Sequence, residues 1–151
     1  MTSRDLLKVT VRVSRRLIPV LASTVVAACG ASAGLEQGFG STPLVTVTSA
    51  SGALRLAVFT DPQAPTNGNV AVRYLITEVS SSQPIEGLSI SVVPWMPAMG
   101  HGTSVAPSVE AAGAGVYEVK NVYLFMPGEW QLRTALSGGV NDSAVPSFTV
   151  H

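Results

Sequence analysis

Sulfhydryl chemistry is nearly absent from this chain: Cys29 is the one cysteine among 151 residues. A disulfide within one chain is therefore excluded, although small exported domains often depend on them. Charge is scarce too, at 12% of residues, against roughly 25% in an ordinary soluble domain. Beyond residue 28, Arg55, Arg73, Lys120 and Arg133 stand against Glu36, Asp61, Glu78, Glu86, Glu110, Glu118, Glu129 and Asp142, a net charge of −4. With no basic patch to hold phosphates, nucleic acid is excluded as a partner. Histidine occurs twice, at His101 and His151, which limits acid–base and metal chemistry alike. The apolar run Leu17–Ala28 falls short of the roughly 20 residues that a membrane-spanning helix requires.

What the front of the chain does hold is a leader. Arg4, Lys8, Arg12, Arg15 and Arg16 oppose only Asp5, and an uncharged apolar run follows up to small residues. That order predicts a secretory signal peptide over 1–28. Val26-Ala27-Ala28-Cys29 resembles the lipobox of bacterial lipoproteins. The resemblance implies that Cys29 is acylated and anchors an exported protein to the bacterial membrane, facing the periplasm or the cell exterior. Residues 29–52 are rich in Gly, Ser, Ala and Thr, a composition that reads as a flexible tether. Within it, Leu44–Thr48 alternates and reads equally as a first edge strand.

From residue 53 the pattern is that of strands. Leu54–Thr60, Val70–Val79, Leu88–Trp95, Val116–Phe125, Glu129–Leu136 and Ala144–Val150 alternate or are β-branched, with turn-rich stretches between them. No segment here holds a 3.6-residue period. Six to seven short strands predict an all-β domain over 53–151, an immunoglobulin-like β-sandwich. Leu54, Leu56 and Val58, then Val70, Val72, Tyr74 and Ile76, then Trp130, Leu132, Thr134 and Leu136, are the expected inward faces. Pro94 is expected to stop its strand.

The stretch PWMPAMGHG, Pro94 to Gly102, concentrates Met96, Met99 and His101 in a segment that Pro94 and Pro97 keep from being helical. Thioethers are soft, uncharged ligands that favour Cu(I), and imidazole accepts copper. Met126, in FMPGEW, stands at another strand end before a Pro-Gly turn. These four residues are the candidate metal ligands, provided that the two junctions meet at one end of the sandwich. The alternative is a hydrophobic plug of Trp95, Met96 and Met99 over that end, with His101 bonded to a backbone carbonyl and Met126 in the core.

Pro94–Leu136 as a whole resembles the YtkA-like domain, a small exported β-sandwich related in style to FixH. The features that carry the resemblance are PWMPAMGHGTS, Pro107, the glycine-rich strand start with Gly113, Gly115 and Tyr117, and the MPGEW strand start. It implies a copper-related role, with His101, Met96 and Met99 on the family's histidine and methionines. It also implies an envelope partner such as a metal-efflux or oxidase-assembly component. Catalysis is not expected. Ser104 has His101 three residues away but no acid beside it, so Asp61 or Asp142 would have to complete a triad from afar. Trp95, Tyr117 and Tyr123 would make a sugar platform only if they shared a surface. A metal-free interaction module is the alternative function.

Overall fold

The structure, a computed structural model, describes residues 38–151. The expected leader over 1–28, the expected acylation of Cys29, and residues 30–37 of the expected tether lie outside the described residues. Ten strands form in chain order: β1 (Val45–Thr48), β2 (Leu54–Asp61), β3 (Gly68–Glu78), β4 (Ser89–Met96), β5 (His101–Gly102), β6 (Ser108–Gly113), β7 (Val116–Leu124), β8 (Gly128–Ser137), β9 (Asp142–Ala144) and β10 (Ser147–Val150). One antiparallel sheet has the order β1-β2-β3-β7-β6. The other runs β10-β8-β4-β5, with β9 also on β8.

The two sheets enclose one core. Every residue that alternation placed inward on β2, β3 and β8 is buried, and Trp130 is fully so. Each large apolar side chain taken from water contributes about 1.5–3 kcal/mol, which is how the domain holds together without a disulfide. Tyr74 and Thr134 span the core, their hydroxyls 3.1 Å apart. Burial pushes the Tyr74 phenol well above its ordinary value, the bond to Thr134 partly opposing this, so the phenol stays neutral.

β7 shows how an irregular pattern still fills the core. Val119 and Val122 are both buried although three residues apart, a spacing that would put them on opposite faces of a regular strand. The pairing with β3 shifts between Val70 and Val72, so Lys120 and Asn121 face a single residue, and Asn121 takes a left-handed φ of 62°. This bulge restores the inward face for Val122 and Leu124.

Three strands exceed the expected number. β6 (SVEAAG) has little β-branched sequence and forms because β7 supplies its ladder. β5 has two residues. β9 is separated from β10 by Val145 and Pro146, which splits the segment expected as one strand. Inside the stretch expected to be a tether, Val45–Thr48 pair with Val58–Arg55 as β1, and Val45 and Val47 pack on the core. Pro94 does not stop β4, which continues to Met96. Its carbonyl points at Gly102 of β5, so its nitrogen faces the edge where β5 has already ended and no ladder bond is lost.

Candidate metal centre

β4 and β5 are joined by Pro97-Ala98-Met99-Gly100. The N–H groups of Met99 and Gly100 both donate to the Met96 carbonyl, at 3.1 and 3.0 Å. Pro97 presets a compact φ and Gly100 takes the left-handed one, +69°, that closes the turn. The chain returns with Met96 directly opposite His101. Residues facing each other in an antiparallel pair project from the same side of the sheet. His101 therefore shares the side of Met96, but at the open end of the sandwich, where His101 is exposed and Met96 buried. Gly102 is required beside them: a Cβ there would run into the Pro94 carbonyl.

The other wall is the β7–β8 connection, Phe125-Met126-Pro127. The His101 ring stacks on Phe125 with centroids 5.8 Å apart and planes 4° from parallel. Phe125 in turn meets Trp130 edge-on at 5.2 Å. The Trp130 Nε1–H donates to the Met126 carbonyl at 2.9 Å, which ties the connection to the core. Met96 is 5% exposed, and its methyl lies 2.7 Å from where a Cβ on Gly128 would be, so Gly128 makes room for it. Met126 is half-buried and packs against the core.

Met96 and His101 thus face each other across the hairpin, Met126 follows the residue on which His101 stacks, and Met99 stands at the hairpin apex, 51% exposed. His101 Nδ1 lies 3.2 Å from the Gly102 carbonyl. A carbonyl only accepts, so Nδ1 carries the proton and the lone pair of the neutral ring is on Nε2. Among the described residues no three His, Cys, Asp or Glu side chains are grouped to hold a metal ion. Any donor set at this rim is therefore built mainly of thioethers.

The remaining candidates stand apart from the hairpin. His151 follows β10, whose Val150 pairs with Gly128, so it is at the same end of the sandwich but with β8 and β4 between it and β5. Its backbone bonds to Pro65 and Asn67. Asp142 pairs with Leu136 on β8, six residues beyond Trp130, or about 20 Å at the rise of a strand. Tyr117 is in the core, Tyr123 is on the outer face of one sheet, and Trp95 lies under the Arg133 guanidinium on the other. They do not share a surface. What spacing did not reveal was the frame: Phe125 as a platform, Gly128 as a socket and the Trp130 indole as a tie. The string FMPGEW contains all of them.

The YtkA-like family profile matches residues 51–135. The chain belongs to the YtkA-like family. The matched range contains all four candidate ligands and the FMPGEW turn. A solved structure of a copper-bound variant of FetP from uropathogenic Escherichia coli is similar at 14% identity, with a TM-score of 0.49, covering 72% of this chain and 96% of that one. No curated protein matches the chain.

Proposed function

We propose that this YtkA-like protein holds Cu(I) at the rim and passes it on within the cell envelope. The observation that carries the reading is the pairing of Met96 opposite His101, closed by the stack of His101 on the residue next to Met126. Three soft or borderline donors without charge suit a monovalent, polarisable ion better than a hard dication. Met96 and Met126 would supply thioether sulfur and His101 its Nε2 lone pair. The chain's part is to present these donors on a rigid frame, largely dry on the Met96 side and open on the Met99 side.

Binding rather than catalysis is part of this proposal, since Asp142 is engaged by Ser51 and Ser143 far from His101. An acylated Cys29 would keep the domain at the outer side of a bacterial membrane. An efflux or oxidase-assembly protein would be the natural giver or receiver of the ion.

The test is a Cu(I) titration of the purified chain under reducing conditions, beside a Met96→Leu/Met99→Leu double variant. Binding tighter than about 1 μM that the double variant loses supports the reading; a wild type that binds no Cu(I) overturns it. The burial of Met96 equally supports a second reading, a metal-free module in which sulfur and rings merely plug the end. That reading expects the double variant to change partner binding with no metal involved.

A further inference from the structure

The four donors of the rim are not equivalent in freedom. Met96 is 5% exposed with its methyl seated over Gly128. Met126 packs against the core, on a connection tied down by the Trp130 indole. His101 is held on one side by the Phe125 ring and on the other by the Gly102 carbonyl. Met99 is the one sulfur of the three that is half in solvent. His101 is exposed too, but its ring is held by the stack on Phe125, whereas the Met99 side chain has no such partner on a backbone fixed by the turn bonds to the Met96 carbonyl. It is therefore a side chain free to swing on a rigid post, within the turn that joins Met96 to His101.

We infer that Met99 is the exchange ligand of the site: it contacts an arriving ion first and a departing ion last, while Met96, Met126 and His101 hold it between those events. The inference rests on the copper reading and adds the direction of traffic to it. A transfer between two proteins passes through a state in which donors of both touch the ion. Only a donor that both reaches into solvent and is free to swing can share the ion with an incoming ligand before the held ones let go. His101, though exposed, is held by its stack on Phe125. An unbranched thioether with three rotatable bonds suits that task, because it swings without disturbing its turn. Removing it should slow entry and exit together, and equal slowing leaves the equilibrium nearly unchanged.

The experiment compares wild type, Met99→Leu and Met96→Leu as full chains. It follows Cu(I) transfer to the chelator bicinchoninate by stopped flow and measures affinity separately by competition. Met99→Leu is expected to slow transfer by about tenfold or more while affinity stays within about threefold, and Met96→Leu to weaken affinity by at least about tenfold. A second readout needs no metal: with 13C-methyl methionine, the Met99 methyl should give a sharp signal near the random-coil position and the Met96 methyl a shifted, broader one. Unchanged transfer in Met99→Leu overturns the inference and leaves the copper reading standing. So does a tenfold loss of affinity in that variant, or a Met99 methyl as immobile as that of Met96. A wild type without Cu(I) overturns both.

Discussion

The two ends of this sandwich are closed by different chemistry. At the end where the β1–β2, β3–β4, β6–β7 and β8–β9 connections gather, carboxylates tie the loops. Asp142 accepts from the Ser51 backbone N–H and hydroxyl and from the Ser143 N–H, Glu86 accepts from the Ala114 N–H, and Glu78 from the Ser81 hydroxyl. At the end carrying Met96, His101 and Phe125–Gly128, the β4–β5 and β7–β8 connections meet through sulfur and aromatic rings, with no carboxylate among their ties. The side-chain bond there is the Trp130 N–H to the Met126 carbonyl, while backbone bonds join His151 to Pro65 and Asn67. Acceptors engaged by the N–H and hydroxyl groups of the loops are committed to structure. Thioethers have no proton to donate and only a weak lone pair to offer, so packing leaves their sulfur chemistry unspent. The difference teaches where to look for exchangeable ligands in a β-sandwich: at the end that packing, rather than hydrogen bonding, has closed.

Variants break this contrast in graded steps. Trp130→Ala removes the buried ring and the tie to Met126, and should lower unfolding stability in denaturant by about 3–5 kcal/mol. Gly128→Ala adds a methyl where φ is +132° and the Met96 methyl already sits; a loss of about 1–3 kcal/mol in the same assay, with weaker Cu(I) binding, is expected. Asp142→Asn tests the opposite end. The hydroxyls of Ser49 and Ser51 and the nearby N–H groups hold the Asp142 carboxyl down from 3.8 to about 2. A lowered folded-state value means that its stabilisation is fully present above the ordinary value and is lost as pH falls from 3.8 towards 2. Thermal melts across that acid range should show the wild type losing this small increment and Asp142→Asn lacking it, with Cu(I) binding the same in both near neutral pH. The smallest perturbation is chemical: limited hydroperoxide should oxidise Met99 first, Met126 next and Met96 last, read by peptide mapping, because access follows exposure. Equal rates at Met99 and Met96 would show that the packed end is open.

Much of the fold was legible because a half-buried strand writes its burial in period two. Leu54, Leu56 and Val58 need no neighbour to be recognised as one face. β6 was illegible for the converse reason: Ser108–Gly113 has no strand character of its own and takes its conformation from β7. Pro94 was misread as a terminator because its cost depends on which side lacks a partner, and the sequence does not say which strand is an edge. The site was legible by residue type only. Met96, Met99 and His101 stood out by their rarity, whereas the roles of Phe125 and Gly128 depend on a connection 24 or more residues farther along the chain.

Alone, the sequence determined the candidate donor atoms and their softness, the near absence of charge around them, and the alternation that makes two sheets. These are local properties, carried by side-chain chemistry and by the two-residue period of the backbone. Only the tertiary structure decided that His101 stands opposite Met96 and that Phe125 stacks on its ring. Four turn residues set the first, and docking of two sheets the second; both are matters of register, which arises only when strands pair.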